Sequence, residues 1–299
     1  MTFAAILALP VVRACLWSAA TSLTSAAMIL LIRWAAAELH PFQISFLRCS
    51  FGALFSLPWL FQMGWQEVRN VKFRKYAGRV SIAFVSMLTW FYAAAYLPMA
   101  ESTALNFTTP LFATVGAALI LKETVRIRRW SATVIGFIGV LIIVRPGAET
   151  FNPAAGVMIA SAITAAFSVL IIKALTRTES AQSIVLFTYL FLSPLTLIPA
   201  LLVWQTPSWT VIGLAAAMGL VGTIGNFCTA RAFSLADASV VLPIDYLRMP
   251  VVAVVGYIAF SEAPDALVWI GSAIIAASSL YIAHREATIA KAASRTRRN

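Results

Sequence analysis

Apolar residues in this chain come in runs of membrane-spanning length, roughly 17 to 25 residues, broken by short polar or charged connections. The runs predict ten spans, near 14–32, 41–62, 80–97, 100–121, 130–144, 155–173, 182–204, 209–230, 236–260 and 265–283. Only Pro98 and Met99 separate the third from the fourth, which leaves room for no more than a tight turn. The ninth is the least regular: over Ala236–Glu262 it is apolar enough for hydrocarbon yet carries Pro243, Asp245, Arg248 and Pro250. An ionised side chain at mid-span costs about 2.5–3.5 kcal/mol, and proline removes a backbone donor that lipid cannot replace. This span must therefore face protein or a water-filled path. Asp245 and Arg248 stand three residues apart, on one helical face, where each can neutralise the other. A buried structural pair and a part in lining or gating a route through the membrane are both open.

Composition removes the soluble alternatives. A chain of 299 residues that is 61% hydrophobic and 11% charged, with a mean hydropathy of +0.88, is an all-α polytopic membrane protein. Its net charge of +11 does not imply a nucleic-acid partner, because the basic residues lie in clusters between spans and form no continuous patch. Eighteen of the 22 Lys and Arg fall in one alternating set of connections and the termini, against Arg33 and Arg145 in the other set and Arg48 and Arg248 inside spans. That asymmetry predicts both termini in the cytoplasm. Cys15, Cys49 and Cys228 are far apart and each lies in an apolar stretch, so they read as small apolar fillers; no metal site and no cofactor is expected.

The two halves repeat. A shift of 140 residues brings Thr21 onto Ser161, Thr24 onto Thr164, Arg33 onto Lys173, Pro110 onto Pro250 and Gly116 onto Gly256. A shift of 139 joins Glu123 to Glu262, and one of 136 joins Ala100-Glu101 to Ala236-Asp237. Five spans per repeat is an odd number, so the second copy enters the membrane in the opposite direction, as in the inverted repeats of secondary transporters. The predicted division is 1–148 and 149–299, the second part carrying the basic tail.

Polar and aromatic side chains inside spans are the candidate site. Thr21 and Thr164 occupy hydroxyl stripes of the first and sixth spans, and hydroxyls of this kind either bond back to their own helix or face a cavity. Asn106 and Asn226 need partners in lipid, and Asn106 precedes Thr108-Thr109-Pro110, where the fourth helix could open. Trp17, Trp90 and Tyr246 lie away from the span ends where interfacial aromatics collect; they are either ordinary core or the walls of a pocket for a flat, partly apolar molecule. Small stripes at Ala83, Ser86 and Thr89 and at Gly219, Gly222 and Gly225 either bring backbones together or leave room for substrate. Arg48 reads as a structural cation. Glu101 and Asp237 are symmetry-related acids, each a gate or a helix N-terminal acid stabilised by the dipole.

The run Tyr92-Ala-Ala-Ala-Tyr96, Ala100-Glu101-Ser102-Thr103-Ala104, Thr109-Pro110, Lys122-Glu123 and Trp130 resembles the EamA repeat. Ala230-Arg231-Ala232-Phe233, Ala236-Asp237-Ala238, Pro250, Ser261-Glu262 and Trp269 resemble its second copy, and Arg48 is similar to the arginine of that repeat's second helix. The resemblance implies a ten-helix carrier of the drug/metabolite transporter superfamily in a bacterial inner membrane, most like aromatic amino-acid exporters. It also implies a path between helices one, three, four, six, eight and nine. The expected function is alternating-access export or facilitated movement of small amphipathic metabolites, amino acids foremost. Thr21, Thr164, Asn106 and Asn226 would hydrogen-bond polar ends, Trp17, Trp90 and Tyr246 would offer apolar faces, and Pro110, Pro243 and Pro250 would let helices bend. A proton-coupled antiporter for another substrate class is the alternative. An intramembrane enzyme is less favoured, because no nucleophile–base or paired-acid set lies within the spans, and His40 and His284 lie at span ends. Besides substrate and lipid, a second copy of the chain is a candidate partner, through Gly136, Gly139, Gly271 and Ser272 on the fifth and tenth spans, and packing within one chain explains these residues equally well.

Overall fold

The computed structural model describes residues 10–62, 73–119, 127–145, 152–175, 179–235 and 248–296. These form eleven helices: α1 (Pro10–Ala35), α2 (Pro41–Gln62), α3 (Phe73–Tyr96), α4 (Met99–Asn106), α5 (Thr109–Leu119), α6 (Ile127–Val144), α7 (Pro153–Leu175), α8 (Ala181–Leu202), α9 (Trp209–Leu235), α10 (Arg248–Phe260) and α11 (Ala266–Thr296). Five stretches, in α1, α2, α3, α8 and α9, are long and apolar enough to cross a bilayer, and shorter apolar helices lie in α6, α7, α10 and α11.

Local chemistry sets several ends. Asn152 accepts the Ala154 N–H at 2.9 Å and is followed by Pro153 at the first position of α7, where a missing N–H costs nothing. Ser180 accepts the Ser183 N–H at 3.1 Å and caps α8. The fourth span is two helices, α4 and α5, parted at Phe107 and Thr108. Pro110 has no N–H for the Asn106 carbonyl and its ring crowds that group, so the helix stops there. Two hydroxyls take up freed carbonyls: Thr109 donates to Asn106 O at 2.7 Å and Thr108 to Leu105 O at 2.6 Å.

Helix α1 lies along α9, α3 along α7, α2 along α8, α6 along α11, and α4 against α10. Exchanging the first five spans for the last five turns α1–α9 into α7–α3 and maps α2–α8, α4–α10 and α6–α11 onto themselves. A two-fold pseudo-symmetric bundle has this pattern of neighbours. Its main core runs from Ile32 and Ile44 through Phe91, Leu105, Leu111 and Met158 to Met218 and Ile275.

The glycines of the fifth and tenth spans serve this chain's own packing. A Cβ at Gly139 would stand 2.9 Å from Gly271 O, one at Gly271 would stand 2.7 Å from Gly139 O, and one at Gly136 would meet Leu111 at 2.6 Å. Small residues here let α6 and α11 approach backbone to backbone. Of the two readings the sequence leaves open for Gly139 and Gly271, a second copy or packing within one chain, the structure shows the packing within one chain.

Candidate substrate-binding site

Helix ends whose connections are poor in Lys and Arg lie at one end of the bundle, and those whose connections are rich in them at the other. At the basic-poor end, charges tie helix ends together. The Arg33 guanidinium, at the end of α1, pairs with Glu262 just past α10 and lies 4.4 Å from the Phe260 ring centroid. The other Glu262 oxygen accepts the Met99 N–H at 3.0 Å, which supplies one of the acceptors that the N-terminus of α4 lacks. Arg145 pairs with Asp265, so α6 and α11 are joined as well. Glu38 accepts from Ser208 N–H and Oγ–H, both at 2.7 Å, and these bonds hold its carboxyl below the usual carboxylate range. A cavity of about 270 Å³ opens between these ties, bordered by Glu101, Arg145, Glu262 and Asp265. Of the candidate binding and gating residues, Glu101 lines it, beside Gly256 and Glu262 of the sequence repeat.

Deeper, four helices converge on one phenol. Tyr189 on α8 is only 1% exposed, and its oxygen accepts from Arg48 Nη2 on α2 at 3.1 Å and from Asn226 Nδ2 on α9 at 2.8 Å. Arg48 also donates to the Met87 sulfur on α3 at 3.2 Å and lies between the Phe91 and Tyr189 rings, 5.5 and 5.4 Å from their centroids. The contact depends on Gly222: a Cβ there would stand 2.7 Å from Arg48 Nη2 and 2.9 Å from the Tyr189 oxygen. A charge at this depth costs about 2.5–3.5 kcal/mol on insertion scales unless rings and dipoles offset it, as they do here.

Toward the basic-rich end, Trp17 on α1 and Trp59 on α2 flank Phe227 on α9, at centroid distances of 5.8 and 5.4 Å. Thr21 lies 3.3 Å from Thr229 across α1–α9. Arg79 on α3, buried, donates to Thr188 on α8 at 3.1 Å and to Ser168 on α7 at 3.4 Å. Arg79, Thr188, Tyr189, Asn226 and Thr229 border a cavity of about 20 Å³, room for roughly one water.

Trp17, Thr21 and Asn226 are thus brought to one region. Trp90 is not with them: it packs against the cluster of Ile29, Met99 and Val252, nearer the basic-poor end. The Thr164 hydroxyl returns to Ala160 O and Ser161 O of its own helix. Asn106 Oδ1 accepts from Arg248 Nη2 at 3.4 Å, and the Arg248 guanidinium lies 5.1 Å from the Phe107 centroid. The described partner of Arg248 is therefore on the fourth span; Asp245, with Tyr246, Asp237 and Pro243, lies outside the described residues. Pro110 follows the break in the fourth span, and Pro250 sits in the first turn of α10. Tyr189, Met87 and Phe227 are not singled out by the sequence, and Arg79 falls there among the charges that set topology. No local pattern marks them, since each gains its place from helices distant in sequence. Arg48, read as structural, meets Tyr189, Met87 and the Phe91 ring inside the bundle.

A model of the EamA-like transporter family matches residues 12–145 and again 152–283. Over 233 residues the chain is 36% identical to a riboflavin transporter of Vibrio cholerae, covering 77% of this chain and 78% of the relative. It is 30% identical over 270 residues to an S-adenosylmethionine uptake transporter of Rickettsia felis, covering 90% and 92%. It is also 30% identical to a pseudopaline exporter of Pseudomonas aeruginosa, covering 85% and 90%. A solved crystal structure, 17% identical, superposes with a TM-score of 0.64 over 90% of this chain and 98% of that one, which bears on the fold alone. These names belong to transporters and to no enzyme. The two family matches, laid on a helical bundle that is apolar enough to cross a membrane several times, place the chain in the EamA-like transporter family as a multi-pass inner-membrane carrier of small metabolites.

Proposed function

We propose that this carrier moves a small, flat heteroaromatic metabolite that bears a polar chain, with riboflavin the first candidate and S-adenosylmethionine the second. The observation that carries the reading is the row Trp17, Phe227 and Trp59 beside the Arg48–Tyr189–Asn226 group. In a conformation that widens the 20 Å³ cavity here, the rings of a substrate would stack on the first and its oxygen or nitrogen acceptors would meet the second. The similarity to a riboflavin transporter and to S-adenosylmethionine uptake transporters supports the same chemistry. Amino acids, aromatic ones included, and their export are the competing substrate and direction, and the same assay judges them.

In mechanism, the repeats 1–148 and 149–299 rock against each other, with both termini in the cytoplasm. The described conformation is fastened at the basic-poor end by Arg33–Glu262–Met99 and Arg145–Asp265. Opening there requires those ties to part and the fourth span to flex at Phe107–Thr108, before Pro110. Glu101, in the wall of the cavity beneath them, would gate that end, and Asp237 the opposite one, with Pro243, Asp245, Arg248 and Pro250 flexing or steadying the ninth span. A homodimer would use the outer faces of α6 and α11, because their glycine faces are already joined. The test is uptake by proteoliposomes of the purified chain, offered labelled riboflavin, S-adenosylmethionine, tryptophan and a drug-like cation, with and without a pH gradient. Saturable riboflavin movement independent of the gradient is expected. Movement of tryptophan in preference to riboflavin would favour the amino-acid reading, and movement of the cation alone, driven by the gradient, would replace both with a proton-coupled antiporter.

A further inference from the structure

Arg48 has more donors than the protein uses. Its guanidinium offers five N–H groups. One meets the Tyr189 oxygen, one a thioether sulfur, and Nε is buried with no hydrogen-bond partner. No carboxylate among the described residues pairs with it, whereas Arg33 and Arg145 each have one. The residue as a whole is only half-buried. Rings offset part of its charge, but its remaining N–H groups still have no acceptor among the described residues.

The surroundings prepare this cation. Gly222 and Asn226 stand four apart on one face of α9: the first lets the guanidinium lie against the backbone, and the second donates to the same phenol oxygen that Arg48 uses. Two donors on one oxygen fill both its lone pairs, so Tyr189 fixes Arg48 and Asn226 without offering either a second acceptor. What the group lacks is an acceptor, and the Phe227 ring row begins one residue after Asn226.

We infer that Arg48, held by Tyr189 and Asn226, is the residue that reads an acceptor oxygen on the substrate, either a ring carbonyl or a carboxylate, and so sets which end of a flat substrate enters first. This rests on the aromatic-pocket reading above and adds the specificity element to it. A charge-assisted bond to an oxygen is about twice as strong as a neutral one, and its strength is lost when the oxygen is replaced by a group that only weakly accepts.

The experiment is equilibrium dialysis of the full chain in nanodiscs against three probes: riboflavin, which has ring carbonyls and no carboxylate; indole-3-propionate, which has only the carboxylate; and indole-3-propanol, which has neither. The wild-type chain should prefer riboflavin, indole-3-propionate or both over the alcohol by at least tenfold. R48Q should erase that preference while leaving the alcohol's affinity within twofold, R48K should keep part of it, and G222A, which displaces the guanidinium without removing its charge, should resemble R48Q. Loss confined to riboflavin assigns the carbonyl as the group read, and loss confined to indole-3-propionate assigns the carboxylate. Preference intact in R48Q, or an equal fall for all three probes, overturns the inference while leaving the aromatic pocket standing. If the wild-type chain binds none of the three, the substrate class itself is wrong and the inference falls with it. Should R48Q not fold, R48K and G222A decide the matter by the same ratios.

Discussion

Helices α3 and α9 occupy equivalent places in the two halves, yet they are built from different side chains. At a shift of 136 residues, Ala83, Ser86 and Thr89 of α3 correspond to Gly219, Gly222 and Gly225 of α9, and Trp90 and Phe91 correspond to Asn226 and Phe227. On α9 the glycines admit neighbours: Gly219 lies against the Phe51–Gly52 backbone, Gly222 against Arg48 and Tyr189, and Gly225 against Thr24. On α3 the same positions keep their side chains, and the Thr89 hydroxyl returns to Val85 O and Ser86 O of its own helix. The pseudo-symmetry therefore preserves the path of the backbone while the chemistry of the walls diverges. A cavity with two unlike walls can bind an asymmetric molecule in one orientation, which a truly symmetric one could not.

The largest expected contrast is between the two phenylalanines. Phe91 is 1% exposed in the main core, so Phe91→Ala should cost about 3–5 kcal/mol and lower the melting temperature in detergent sharply. Phe227→Ala, at a half-buried ring flanked by Trp17 and Trp59, should leave more folded carrier but raise the KM for riboflavin roughly fivefold, in line with one lost substrate–ring contact of about 0.5–1.5 kcal/mol. Equal melting temperatures and equal KM values would count against the proposed binding role of α9. Next comes Gly219→Ala, whose Cβ would stand 2.5 Å from Phe51 Cβ and 2.9 Å from Gly52 N; overpacking of about 1–3 kcal/mol is expected in the same melting assay. Ala83→Ser, at the equivalent place on α3, should stay within about 0.5 kcal/mol of wild type.

Smaller again is Asn226→Leu. It removes one donor from Tyr189 while Arg48 remains, so a net loss of about 1 kcal/mol is expected, read as a roughly fivefold weaker riboflavin affinity with folding retained. A Trp90→Leu variant at the matching α3 position should change that affinity less than twofold. The smallest effect lies beyond both helices. Because hydrogen bonds from Ser208 hold the Glu38 carboxyl below its ordinary value, this contact contributes at neutral pH and is lost as the pH falls through that lowered value. Spin labels at residue 206 should gain mobility over that acidic range in the wild-type chain and show no such pH step in Glu38→Gln, with the substrate affinity of either unchanged at neutral pH.

Much of this was legible before any coordinates. The number of spans follows from the length of apolar runs, because lipid allows no unsatisfied backbone within it. The break at Phe107–Thr108 follows from Pro110 and its flanking threonines. Trp17, Thr21 and Asn226 stand out as aromatic or polar residues inside apolar runs, and α1 and α9 bring them together. Thr21 and Thr164 both bond back to their own helices, but only Thr21 also meets a neighbouring helix, and Trp90 packs into the core, since residue type does not fix which face a helix turns inward. Tyr189 and Met87 carried no signal. A tyrosine among leucines and phenylalanines is unremarkable until Arg48 and Asn226, respectively 141 and 37 residues away in sequence, are seen to share its oxygen.

By itself, then, the sequence determined what each segment must avoid: its apolar runs cannot stay in water, its prolines cannot continue a helix, and its buried charges cannot stand in lipid. These are local constraints, set by the solvation of one residue or the backbone of a few, and they need no knowledge of neighbours. The tertiary structure alone decided what each segment meets. It joined Glu262 to Arg33 and to the start of α4, spent Gly139 and Gly271 on contact within the chain, and put Arg48 beside a phenol instead of an acid. Such pairings depend on how helices distant in sequence register against one another, and that register is chosen by the fit of the whole bundle.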